Sequence, residues 1–186
     1  MKKVIVGISG ATGAQLGIRL LEVLHEMEDV ETHLVVTRGA QTVIERECEQ
    51  TVDEVCALAD VCYDNNNLAA PISSGSFRTD GMIVAPCSMK SLSAIVNAYD
   101  DDLLVRAADV CAKEHRKVVL VPREMPLSVA HCRNILQAAQ DGYVLIPPML
   151  TYYNGCETTQ DQTDHVIGKV LMQFDIGYDR FRPWKG

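Results

Sequence analysis

Three places in the sequence end an apolar run on residues that could hold an anion or move a proton. The first is "SGATGA", Ser9 to Ala14, between "VIVGI" and "QLGIRLLEVLHEM". A strand that passes through small residues into a helix presents that helix's first unpaired N–H groups, which favour negative charge. Gly10 and Gly13 admit a close neighbour and Thr12 adds a hydroxyl. The guest would be a phosphate or the edge of a phosphorylated cofactor. Glycine turns also serve packing alone, and the third glycine of the dinucleotide fingerprint is missing at its usual spacing, so both readings stand on this motif.

The second is "APCSMKSLS", Ala85 to Ser93, where Ser88, Lys90 and Ser91 could hold phosphate oxygens through hydroxyls, backbone and charge. The plainer reading is a helix capped by serine. Cys87 beside it has no histidine in a supporting motif and is expected to be a buried, inert thiol. The third is "VPREMP", in which two prolines stiffen a strand end that carries Arg123 and Glu124. Open α/β sheets bind ligands at that edge, although an adjacent Arg and Glu can equally be solvated surface charges. The polar loop "APISSGSFRTDG" suits either a mobile surface segment or a ligand cover. The five histidines have no metal-ligand spacing. No metal site is expected.

These segments need a frame that brings strand ends together. The runs "KVIVGI", "THLVVT", "GMIVAP", "KVVLVP" and "GYVLIP" are short, apolar and β-branched, and they alternate with helical patterns. That alternation predicts a three-layer, Rossmann-like α/β fold with a doubly wound, mainly parallel sheet. Leu16, Leu20, Val23, Leu24 and Met27 form one apolar stripe at helical spacing, while Ile18 lies on the back of the same helix, as a surface covered by another subunit would. A last helix repeats the pattern with Val166, Ile167, Val170, Leu171 and Phe174, leaving Lys169 off the stripe.

The chain has 186 residues and no linker or repeat, which predicts one domain over residues 1–186. Its formal charge of -8 argues against a nucleic-acid surface. Seven cysteines without a CxxC pair suit reduced thiols, and no apolar run approaches membrane-spanning length, so a cytoplasmic protein with no membrane partner is expected.

Taken together, "VGISGATGAQLGIRLL", "ISSGSF", "APCSMKSLSAI", "RAADVCAKEHRKVVLVPRE", "PPMLTYY" and "HVIGKVL" closely resemble the UbiX flavin prenyltransferases, in family order from residue 4 to about residue 172. The resemblance implies FMN as cofactor and a homododecamer with sites at subunit contacts. It also implies transfer of the dimethylallyl group of dimethylallyl monophosphate to reduced FMN. The prenylated FMN would then serve a UbiD-type decarboxylase.

By position, Gly10, Ala11, Thr12, Thr37, Ser88, Met89, Lys90, Ser91 and Arg123 would contact FMN. Arg106, Lys113, Arg123, Tyr153 and Lys169 would hold the prenyl phosphate, with Glu47, Glu124 and Thr12 at the reacting centre. The C-terminal helix and tail would add to the site or to oligomer contacts. Members often carry serine at Thr12 and arginine at Lys169, and some carry tryptophan at Leu68. Two other readings are an FMN-dependent aromatic acid decarboxylase and a non-catalytic FMN-binding subunit of a decarboxylase system.

Overall fold

The computed structural model describes residues 1–184. Six strands form one sheet: β1 (Lys2–Ile8), β2 (Val30–Val36), β3 (Val61–Asp64), β4 (Gly81–Cys87), β5 (Lys117–Pro122) and β6 (Val144–Leu145). All neighbouring pairs are parallel, in the order β3-β2-β1-β4-β5-β6. The expected doubly wound fold is therefore present. The chain reverses its winding direction between β1 and β4, so the crevice at a topological switch point opens beyond Ile8 and Cys87.

Among the described residues seven α-helices cover the sheet: α1 (Gln15–His25), α2 (Arg38–Glu47), α3 (Val52–Ala57), α4 (Met89–Val96), α5 (Leu103–Lys113), α6 (Val129–Gln140) and α7 (Thr159–Met172). Alternate β1 residues point to opposite faces, as a strand's two-residue period requires. Val4, Val6 and Ile8 join a core with α1 and α7, while Ile5 joins a second core with α4 and α5.

Ile18 is buried within this chain's own core, at 3% exposure, so the expected outside cover is replaced by cover from within. Met27 and Phe174 extend their stripes past the helix ends, one half-buried and the other buried. The short strand β3 lacks a continuous apolar run, because as an edge strand it alternates half-buried and exposed residues. The expectation of seven reduced thiols is corrected at one pair. Cys56 at the end of α3 and Cys62 in β3 are joined as a disulfide, with Cα atoms 5.5 Å apart, within ordinary bridging range.

The loop after Asn67 is packed rather than loose. Its short 3-10 turn, Pro71–Ser73, buries Ile72 at 1% exposure. Arg116 donates to the carbonyls of Phe77 at 2.9 Å and Gly75 at 2.6 Å, and Arg106 donates to that of Ser73 at 3.2 Å.

Candidate functional site

The glycine turn is set by contacts inside the chain. A Cβ on Gly10 would lie 2.9 Å from the Gly39 backbone, so this glycine lets the end of β1 meet the start of α2. Gly13 has φ +90°, where an L side chain is strained. Gly17, not at the fingerprint spacing, supplies the close helix–strand approach that the third fingerprint glycine makes, since a Cβ there would lie 2.4 Å from the Ala85 carbonyl oxygen. Gly10 thus has a packing reason and Gly13 a conformational one, and the turn also borders a hollow.

That hollow has a volume of about 390 Å³ and is lined by Gly10, Thr37, Ser88, Lys90 and Ser91. Two helices begin at it. Thr37 caps α2 by accepting from the Ala40 N–H at 3.2 Å, and Ser88 caps α4 by accepting from the Ser91 N–H at 3.2 Å. Ser9 locks the strand ends together: its hydroxyl donates to the Pro86 carbonyl at 3.0 Å and accepts from the Ser88 N–H at 2.7 Å. The serine cap and the anion-site readings are therefore compatible, because the capped N-terminus still turns its dipole toward the hollow. Arg38, not singled out in the sequence, lines the same hollow, and Lys90 lies 3.5 Å from Asp102. The partner acids Asp101 and Asp102 lie in the connection between α4 and α5, which the fold turns back onto Lys90, so the serine motif alone did not reveal them.

Arg123 separates two larger spaces of about 670 and 500 Å³, both walled by Pro148, Met149 and Leu150. It is fixed at the end of β5 by its N–H, which donates to the Cys87 carbonyl at 3.1 Å. The larger space also meets Thr12 and Glu47, and the smaller meets Met89 and Glu124. Glu47, at the end of α2, accepts from the Thr12 hydroxyl at 2.9 Å and the Gly13 N–H at 3.0 Å. A third space of about 430 Å³ continues past Met149 to Tyr153 and Lys169. Burial pushes the Cys87 thiol up to about 12, and it stays a protonated, unreactive neighbour.

Arg106 and Lys113 are not brought to this groove within one chain. Arg106 is engaged by Asp100 at 2.9 Å and Asp109 at 3.2 Å, and Lys113 pairs with Glu114 at 3.1 Å. Both belong to α5, and neither lines the spaces around Arg123. Ala11 is half-buried in the turn next to Gly10. Among the described residues no cluster of three metal-ligating side chains is found, and no helix is long and apolar enough to cross a membrane.

The sequence profile of the Flavoprotein family matches residues 1–174. The flavin prenyltransferase UbiX of Salmonella typhimurium is 48% identical over 188 residues, covering all of both chains. The chain belongs to the flavoprotein family, in its UbiX branch. Two solved structures support the same placement. The dodecameric FMN-dependent UbiX-like decarboxylase of Escherichia coli O157:H7 is 53% identical, with TM-score 0.97 over 99% of this chain and 100% of that one. AnUbiX in complex with FMN and dimethylallyl pyrophosphate is 45% identical, with TM-score 0.96 over 100% of this chain and 98% of that one.

In this flavoprotein the donor set fits FMN. Two helix N-termini and the Thr37, Ser88 and Ser91 hydroxyls suit a phosphate, with the Lys90 ammonium beside them paired to Asp102. The apolar walls beside Arg123 suit a flat ring system.

Proposed function

We propose that this chain is a flavin prenyltransferase that joins the dimethylallyl group of dimethylallyl monophosphate to reduced FMN and releases phosphate. The observation that carries this reading is a third space beyond those that FMN would fill. An anion hollow built on two helix N-termini lies one residue along the chain from apolar walls, Ser88 lining the hollow and Met89 the space beside Arg123. Those walls share Met149 with a space that holds a separate cation, Lys169, beside a phenol, Tyr153. A site for FMN alone needs only the first two. The Salmonella relative's name and the ligands of the AnUbiX complex agree with the third.

Reduced FMN, when bound, supplies the electron-rich ring that receives the prenyl group. Gly10, Ala11, Thr12, Thr37, Ser88, Met89, Lys90, Ser91 and Arg123 hold and orient it. Tyr153 and Lys169 bind the prenyl phosphate and, with Arg123, stabilise the charge that grows on it as the allylic C–O bond breaks. Positioning of the two reactants in one groove removes most of the entropic barrier. The apolar walls keep water from the allylic electrophile. Glu124, exposed at the strand end, takes the proton displaced by the new bond. Thr12 and Glu47 together fix the turn against which the ring lies.

Arg106 and Lys113 complete the phosphate cradle from a neighbouring copy, since their own chain keeps them away from the groove. Met125, Leu127 and Val129 stand exposed near the mouth, at 80%, 47% and 69%, which suits burial against further copies in a homododecamer. The product passes to a UbiD-type decarboxylase in the cytoplasm, without membrane or nucleic-acid partners.

The test is phosphate release. Under anaerobic conditions with reduced FMN and dimethylallyl monophosphate, one phosphate should appear per flavin consumed. Absence of phosphate, with carbon dioxide evolved instead from an added aromatic acid, would favour direct decarboxylation. FMN binding with neither product would favour a non-catalytic subunit.

A further inference from the structure

We infer that Phe181 is a positioning residue for Lys169, held in place by Gly168 and by a tail anchored on Asp164. This rests on the reading of Lys169 as a ligand of the prenyl phosphate.

The segment after α7 doubles back along that helix. Its anchor is Asp164, buried at 3% exposure, which accepts from Tyr178 Oη at 2.7 Å, Arg19 Nε at 2.8 Å and Arg180 Nη1 at 3.3 Å. The Phe181 N–H then donates to the Tyr178 carbonyl at 3.0 Å, turning the ring back onto α7. It lands on Gly168, where a Cβ would lie 2.4 Å from the Phe181 Cβ and 2.5 Å from its ring. No larger residue leaves room for the ring there.

The same ring then faces the next residue. Lys169 Nζ lies 5.8 Å from the Phe181 ring centroid, within cation–π reach. His165, one turn earlier, has its ring centroid 5.2 Å from that of Phe181, and Tyr153 stands edge-on to His165 at 5.9 Å. Phe181 thus links Lys169 to His165, and His165 in turn meets Tyr153.

Among the described residues no carboxylate lies within ion-pair distance of Lys169. This matters chemically. A lysine ammonium on a flexible stem costs rotamer entropy to hold still. A carboxylate would hold it but cancel its charge, whereas an aromatic face holds it and leaves the full charge for an anion.

The experiment measures binding of dimethylallyl monophosphate to the oxidised-FMN holoprotein by calorimetry, where no turnover follows. Phe181→Leu keeps the apolar packing and loses the π face. It should weaken binding by about two- to fivefold, the worth of an exposed cation–π contact. FMN content and thermal midpoint should stay unchanged, and Phe181→Tyr should restore the affinity. Lys169→Ala should weaken binding further, and adding Phe181→Leu to it should cost nothing more. If Lys169→Ala weakens binding but Phe181→Leu does not, or if the two losses simply multiply, Phe181 does not act through Lys169. If Lys169→Ala itself has no effect, the reading of Lys169 as a phosphate ligand fails, and this inference with it.

Discussion

Thr12 and Glu47 are joined across the mouth of the groove, the Thr12 hydroxyl donating to Glu47 Oε2 at 2.9 Å while the same oxygen accepts from the Gly13 N–H at 3.0 Å. One carboxylate oxygen therefore fixes both the hydroxyl and the backbone of the turn after β1. Thr12→Ser retains this donor and should keep near wild-type turnover. Thr12→Val and Glu47→Ala, which break the contact, should each lower turnover by about tenfold or more through misplacement of the bound reactants. Steady-state phosphate release on FMN-saturated protein checks this, and equal rates in all three variants would remove the pair from the reacting centre.

Gly17 meets the Ala85 carbonyl and Ile8 so closely that any Cβ forces α1 away from the sheet. Gly17→Ala should destabilise by about 1–3 kcal/mol, the usual cost of overpacking. Chemical denaturation would show a lower midpoint. An unchanged midpoint would mean that α1 shifts without loss.

Asp164 sets an acid limit. Burial alone would raise its carboxyl, but hydrogen bonds from Arg19, Tyr178 and Arg180 outweigh that and hold it below its ordinary 3.8. A depressed folded value means that the native state binds fewer protons than the unfolded chain. The stability is therefore present above the ordinary value and is lost as pH falls through the lower folded value. Thermal midpoints taken downward from about pH 5 should fall more steeply for the wild type than for Asp164→Asn. Parallel curves would refute the linkage.

Glu124 stands exposed at the end of β5, its carboxylate accepting from the Met125 N–H at 3.0 Å. Glu124→Gln keeps the shape and removes the base. Turnover should fall by about a hundredfold or more, while affinity of the oxidised-FMN protein for dimethylallyl monophosphate stays level. A wild-type rate would assign the proton transfer to another group.

Much of the frame was legible because its signals are local. Strands β1, β4 and β5 carry continuous apolar runs, as strands covered on both faces must, β2 ends in one from Leu34 to Val36, and Ser88 announced its cap by type and position. Less legible was anything that depends on which segments meet. The reason for Gly10 lies in Gly39, and that for Gly17 in Ala85. Edge strand β3 carries no continuous run, and Cys56 finds Cys62 only because α3 ends beside it. The site shows the same division. Thr37, Ser88 and Ser91 gather at one hollow, while Arg106 is spoken for by Asp109, one turn along α5 and legible from spacing, and by Asp100, which lies outside the helix and is not.

The most direct measurement is mass spectrometry of the flavin extracted after anaerobic incubation of the protein with reduced FMN and dimethylallyl monophosphate. Prenyl transfer predicts a flavin heavier by one five-carbon unit, formed in step with phosphate and absent when Lys169→Ala and Arg123→Ala are combined. Recovery of unmodified FMN from fully loaded wild-type protein, with the prenyl phosphate intact, would contradict the account.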